Sequence, residues 1–353
     1  MVMKKNKGRT APKRENERRE RKLWILALLF LTFWLLLCLA FSYKYVENAK
    51  SEHDKSEVDS LSQQDNAKFH FELFDSSDGT DDSQISTIEK MEAQQNQSYR
   101  DEFRPSMESL LQNRELTEKN VEKYFTYRPV LKGKNPLHTT GGEEVVYIYH
   151  SHSRESFLPY FKNTDKPEEA YHSEVNMTLV GKMLGEALER KGIGAQVNAS
   201  DIGQELDDRG LNYGSSYPVS REHVQAAQKE NRGLEIFFDL HRDSLRKDST
   251  TATIQGKDFA QLLFVVGTGH AEFEKNLEFT DGLHNEIESQ FPGLSKGILE
   301  KDSSQGNGIY NQDLSPQSVI IEVGGVDNTA QELNHTIEAF VEVFSEYYWH
   351  GEK

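Results

Sequence analysis

The chain has 353 residues, a formal net charge of −17 and one cysteine. An acidic balance of this size disfavours nucleic acid and anionic membrane surfaces as partners. One cysteine excludes an internal disulfide, so the fold must rest on a core, a metal or both.

The charge is unevenly spread. Residues 1–22 carry ten basic and three acidic side chains, a balance of +7, which leaves −24 for the remainder. Behind this basic tail, Leu23 to Tyr43 gives 21 residues with no ionised side chain, and Cys38 lies among them. About 20 such residues cross a bilayer as a helix. Glu47, Glu52, Asp54 and Glu57 follow. The positive-inside rule therefore predicts a single-pass protein of the cell membrane, with residues 1–22 in the cytoplasm and everything past residue 43 outside. The run is longer than a signal-peptide core, and Ala40-Phe41-Ser42 is a poor cleavage site, which favours an uncleaved anchor.

Residues 44–142 read as an acidic, largely disordered spacer. Ser76-Ser77-Asp78-Gly79-Thr80-Asp81-Asp82-Ser83 has too little apolar surface to offset the entropy of ordering. Thr117 to Phe125 is the short helix expected near the end of the spacer, ahead of a connector bearing Pro and Gly.

From residue 143 the texture changes. Apolar, β-prone runs at Val145 to Tyr149, Ile236 to Leu240, Leu262 to Val266 and Ser318 to Val323 alternate with helical patterns. Met177, Val180, Met183, Leu184, Ala187 and Leu188 follow helical spacing, and Gly192 is a natural stop. The last helix is predicted to start at an Asn328 cap with Gln331 three residues on. It continues through Leu333, Ile337, Phe340, Val341 and Phe344. Continuous apolar strands between amphipathic helices predict an α/β domain over 143–353. Its three layers would be a twisted, mostly parallel sheet with helices on both faces.

The chemistry gathers where strands stop, which is where open α/β sheets place their sites. Tyr147-Ile148-Tyr149-His150-Ser151-His152-Ser153-Arg154-Glu155-Ser156 delivers two histidines and a carboxylate beyond the first strand. Asp239-Leu240-His241-Arg242-Asp243-Ser244 ends the second, and Ile321-Glu322-Val323-Gly324-Gly325 ends the last. A catalytic zinc takes three ligands from His and Asp/Glu and leaves a position for water. His150, His152, Glu155, Glu174 and His241 are the candidates, and no HExxH motif is present. Glu322 follows three β-branched aliphatics, so its pKa should rise into the range of a general acid or base. Each residue also has a plain structural role open to it. A strand-end histidine is often just hydrogen-bonded, Glu155 could pair with Arg154, and Glu174 could be first-turn acid. Convergence at one sheet end favours the functional reading. A GxSxG elbow, a Walker A motif and a GxGxxG fingerprint are all absent, and Gly203, Gly210 and Gly214 read as loop glycines.

These motifs, together with Tyr217-Pro218-Val219-Ser220-Arg221 and Asn311-Gln312-Asp313-Leu314-Ser315-Pro316, resemble the stage II sporulation protein P family over residues 143–349. That family is related to zinc-dependent N-acetylmuramoyl-L-alanine amidases, which implies a zinc amidase or phosphorylase/hydrolase-like fold. By the resemblance, His152, Glu174 (in Glu174-Val175-Asn176) and His241 hold Zn2+, and Glu322 is the catalytic acid/base. His150 and Glu155 remain alternative or outer ligands. Arg221, Arg242 and Asp243 are implied to shape the site or hold substrate, against salt bridges for the arginines and a turn for Asp243.

The expectation is thus a membrane-anchored peptidoglycan hydrolase of the sporulation septum, active in engulfment. It would cut stem peptides from glycan strands as an amidase, with endopeptidase cleavage in the same site also implied. The resemblance names stage II sporulation proteins D and M as partners. Two other readings stay open: a zinc carboxy- or endopeptidase on the same scaffold, and a wall-binding scaffold without turnover.

Overall fold

The computed structural model describes residues 104–129 and 136–351. The basic tail, the Leu23–Tyr43 run and most of the spacer lie outside the described residues. Among the described residues, no helix is long and apolar enough to cross a membrane.

Eight strands form: β1 (Glu144–Tyr149), β2 (Gly194–Val197), β3 (Ile236–Asp243), β4 (Thr251–Ile254), β5 (Lys257–Ala260), β6 (Leu262–Gly267), β7 (Ser295–Lys301) and β8 (Gln317–Gly325). Six of them make one sheet in the order β2-β1-β3-β8-β6-β7, while β4 and β5 form a separate hairpin. Every pairing in the large sheet is parallel except β6 with β8. The helices are α1 (Met107–Leu111), α2 (Met177–Arg190), α3 (Ile202–Asp208), α4 (Ser216–Glu230), α5 (Lys247–Thr250), α6 (Phe273–Gln290) and α7 (Ala330–His350).

Side chains alternate along a strand, and this parity sorts the sheet into two faces. Val146 and Ile148 of β1, Phe238 and Leu240 of β3, and Val319, Ile321 and Val323 of β8 join the main core with α2, α6 and α7. Phe238 meets the rings of Phe340 and Phe344 edge-on at 5.7 and 5.3 Å. The opposite parity, Tyr147, Tyr149 and Phe237, packs against Val224 and Ala227 of α4. A neighbouring cluster joins Leu263, Val265 and Ile320 to Tyr217 and Tyr310. Helices therefore cover both faces of a mixed, mostly parallel sheet.

Several local expectations change. The packed domain begins before residue 143, because Leu110, Val121 and Phe125 are buried. The Phe125 ring packs at a tilt against Tyr160 at 5.1 Å and Phe157 at 5.8 Å. The helix predicted from Thr117 shrinks to a 3-10 turn, Val121–Phe125, because Asn120 adopts a left-handed conformation, φ 61°, and breaks it. The cap of α7 is Thr329 with Glu332 in a reciprocal capping box, not Asn328 with Gln331. Asn328 instead accepts the Gly325 N–H and turns the chain out of β8. Gly203 lies inside α3 against Arg154, and Gly214 lies in the 3-10 turn Tyr213–Ser215, so neither is a plain loop glycine. Gly192, at φ +80°, does end the α2 segment.

Candidate metal centre

The site is built on the α4-covered face, at the C-terminal ends of β1, β3 and β8. Period-2 alternation from Phe237 puts Asp239 and His241 on that face, and from Ile320 it puts Glu322 there. His241 and Glu322 are direct register partners on β3 and β8.

Past β1 the chain turns at once, and the Glu155 N–H donates to the His152 carbonyl at 3.1 Å. This turn brings Glu155 back under His152. Glu155 Oε1 lies 3.4 Å from His152 Nδ1, and Oε2 lies 3.5 Å from His241 Nδ1. Donor atoms of His152, Glu155 and His241 all lie within 4.8 Å of one another. These three residues are 9%, 6% and 3% exposed, so the cluster is sheltered from water. Two histidines and a carboxylate match the donor types and number of a catalytic zinc site.

Glu174 stands apart from this cluster. It is exposed, just before the Asn176 cap of α2, and its backbone N–H donates to His172 Nδ1. The carboxylate that joins the histidines is Glu155, which the sequence left as the alternative. The reason is local: the turn after β1 folds back sharply enough for a residue five positions beyond Ser151's neighbour His150 to reach the strand end, whereas the α2 cap presents Asn176 inward. His150 also leaves the cluster. Its Nδ1–H donates to the Asn198 carbonyl at 3.0 Å, and its ring lies against Gly181 of α2, where an added Cβ would come within 2.4 Å of Nε2. Burial lowers its pKa to about 4, so it is neutral near pH 7.

Charges in the cluster support one another. Burial works against an ionised Glu155, but His241, His152 and Arg242 outweigh it and hold the carboxyl well below its usual range. Burial likewise opposes a charged His241, and the Asp239 and Glu155 carboxylates reverse that effect, raising its pKa well above the ordinary value. Glu322 goes the other way. Its Oε2 is sealed from solvent without a hydrogen-bond partner, and burial, aided by the Glu155 and Asp243 carboxylates, raises its pKa to about 8.

The remaining predicted residues hold the frame. Arg242 is buried; its backbone N–H donates to Glu155 Oε2 at 3.1 Å, and its guanidinium bonds the carbonyls of Ser156 and Ala170 at 3.0 Å each. It also lies 5.5 Å over the Tyr171 ring. Asp243 accepts the Leu245 N–H at 2.9 Å, a turn contact. Arg221 makes a bidentate bridge to Asp313 at 2.7 Å, tying α4 to the 3-10 turn Gln312–Leu314 outside the donor cluster.

Two aromatic residues flank the start of α4: Tyr217, which the sequence offered only as part of the Tyr217–Arg221 motif, and Tyr213, in the preceding 3-10 turn, which was not singled out. Tyr213 stacks on His152 at 4.4 Å, and Tyr217 lies 5.3 Å from His152 and 6.5 Å from His241. They wall the cluster and help exclude water. The i, i+4 spacing of Tyr213 from Tyr217, the first residue of the Tyr217–Arg221 motif, was the available signal.

The sequence matches the family model described as stage II sporulation protein P over residues 44–345. A protein of that name from Bacillus subtilis (strain 168) is 45% identical over 249 residues, which cover 70% of this chain and 62% of the relative. The chain therefore aligns with less than two thirds of that relative's length. Among solved structures, an N-acetylmuramoyl-L-alanine amidase from Clostridium difficile 630 matches 60% of this chain and 100% of its own, with TM-score 0.34 and 13% identity. A metallo-carboxypeptidase from Burkholderia cenocepacia matches 60% of this chain and 59% of its own, with TM-score 0.35 and 11% identity. Likenesses this distant do not bear on the chemistry. The family match spans most of the sequence, including every strand end that carries the donor cluster, and the chain belongs to the stage II sporulation protein P family.

Proposed function

We propose that this chain is a zinc-dependent peptidoglycan hydrolase that cleaves the amide between N-acetylmuramic acid and L-alanine. The observation that carries the reading is the sheltered set of His152, Glu155 and His241 beside a carboxyl, Glu322, with a strongly raised pKa. Those three residues would hold the metal, with Glu155 in the place that the family resemblance implied for Glu174.

A zinc ion in such a site supplies Lewis-acid polarisation of the scissile carbonyl and acidifies water. Glu322 does the proton work. It takes the proton of the attacking water as the C–O bond forms, then returns it to the leaving amine nitrogen as the C–N bond breaks. Such proton transfers contribute about 10²–10⁴-fold. Arg242 fixes Glu155 through its backbone N–H, and Tyr213 and Tyr217 keep bulk water from the histidines.

The Leu23–Tyr43 run supports a membrane anchor with the hydrolase on the external side, acting on peptidoglycan at the sporulation septum. Stage II sporulation proteins D and M are the proposed partners. Mass spectrometry of muropeptides digested by the full chain tests the reaction. We expect chelator-sensitive release of stem peptides with a free L-alanine amine. A Glu322→Gln protein that digests the wall at the wild-type rate would refute the mechanism, and products cut only within the peptide would make the chain an endopeptidase.

A further inference from the structure

His241 has two faces. Its Nδ1 points at Glu155 Oε2, 3.5 Å away, while its Nε2 lies 3.0 Å from Ser151 Oγ and 3.2 Å from Asp239 Oδ1. Asp239 is 1% exposed, on the same strand face two residues before His241. Its Oδ1 also accepts the Ser151 N–H at 2.8 Å, and its Oδ2 has no hydrogen-bond partner. A buried carboxylate with an unfilled acceptor is costly unless it does something the fold needs.

Ser151 alone cannot fix the ring, because a hydroxyl donates or accepts as required. Asp239 Oδ1, by contrast, is already the acceptor of the Ser151 N–H, so it faces Nε2 as an acceptor too. Its presence beside Nε2 therefore places a proton there, so that Nδ1, the nitrogen facing Glu155 and His152, is the one a metal would take. We infer that Asp239, seconded by Ser151, is the positioning residue that sets the tautomer and orientation of His241 for metal binding through Nδ1. Carboxylate–histidine pairs behind a metal commonly do this, and losing the outer partner costs about 10–100-fold in affinity. The register supports the pairing: β1 and β3 run parallel with Tyr149 opposite Asp239, so Ser151 and His241 leave adjacent strands at the same level. The inference rests on the metal site proposed above.

The test is zinc affinity of the full chain by competition with a chelator, for the wild type, Asp239→Asn, Asp239→Ala and Ser151→Ala. The His241 Nε2–H resonance of the zinc-loaded protein is followed in parallel. Asp239→Asn keeps the size of the side chain and guards against a simple loss of fold. We expect the Asp239 variants to bind zinc about 10–100-fold more weakly. Their Nε2–H signal should move and exchange faster with solvent, with a smaller effect in Ser151→Ala. Wild-type affinity and an unchanged Nε2–H signal in both Asp239 variants overturn the role of Asp239. If the wild-type chain takes up no zinc, the metal reading falls, and the role assigned to Asp239 falls with it.

Discussion

The two faces of the central sheet are made from the same strands and do different work. On one face, Val146, Ile148, Phe238, Leu240, Val319, Ile321 and Val323 sit in a continuous apolar core beneath α2, α6 and α7. On the other, the parity that begins with Tyr147, Phe237 and Ile320 turns polar at the strand ends, as Asp239, His241 and Glu322. The difference teaches that one alternation can build a rigid floor and a reactive site from adjacent residues. Much of the apolar packing lies on one side, and buried charged groups are held on the other. His150 and His152 show the same split within three residues: the first is locked against α2, the second faces the donors.

The comparison is broken most severely by removing a donor from the reactive side. Glu155→Ala should weaken zinc binding beyond the roughly 100-fold cost of losing an outer partner, whereas Glu174→Ala should leave metal content unchanged. Metal analysis of the two purified variants decides between the carboxylates. On the apolar side, Phe238→Ala removes a ring with no exposure that touches Phe340 and Phe344. Denaturant unfolding should show a loss of about 3–5 kcal/mol.

Titration sharpens the contrast, because the two faces respond to pH in opposite directions. His150 has a folded pKa of about 4, below the ordinary 6.5. Between those values the unfolded chain binds the extra proton, so stability is lost as pH falls through that window, by about 3 kcal/mol for this group. Glu322 has a folded pKa of about 8, above its ordinary 4.5. Here the folded chain holds the proton, so stability is lost as pH rises from 4.5 to 8. Urea unfolding of metal-free protein across pH should show a weaker acid-side loss in His150→Asn and a weaker alkaline-side loss in Glu322→Gln. The smallest effect belongs to Arg221→Ala, which breaks a bridge about one third exposed at both ends. It should cost about 1 kcal/mol or less and leave zinc affinity unchanged, as calorimetry and chelator competition would show.

What could be read from sequence follows the same division. His241 and Glu322 were legible because each closes an apolar run, and strand parity then fixes which side it faces. The three-layer α/β architecture was legible for the same reason. The choice between Glu155 and Glu174 was not, because it depends on how tightly the chain turns after Tyr149. The resemblance favoured the helix-start carboxylate, and the backbone bond from Glu155 to His152 placed the other one among the histidines. Asp239 was written in the sequence at i−2 from His241, but an acidic residue inside an apolar strand gives no partner until the turn places Ser151 beside it. Strands β2 and β7 carry few strong β-formers, Gly194-Ala195-Gln196-Val197 and a segment with Gly297 at φ +106°, so their pairing is dictated by neighbours.

The reversal of β6 and β7 has a consequence for how the site can be altered. Leu262, at the beginning of β6, pairs with Val323 near the end of β8, and Ser295, at the beginning of β7, pairs with Leu262. The rim beyond Glu322 is therefore walled by strand beginnings. Lys296 reaches from that wall to the Ser249 carbonyl at 2.8 Å. The connection into β6 is the single residue Gln261, whose carbonyl accepts the Gly324 N–H at 2.8 Å, so the loop that can be lengthened without moving the segments that carry His152, Glu155, His241 or Glu322 is the one entering β7, residues 291–294. Loop grafts at that edge offer an engineer a way to reshape what the site admits while its donors stay in place.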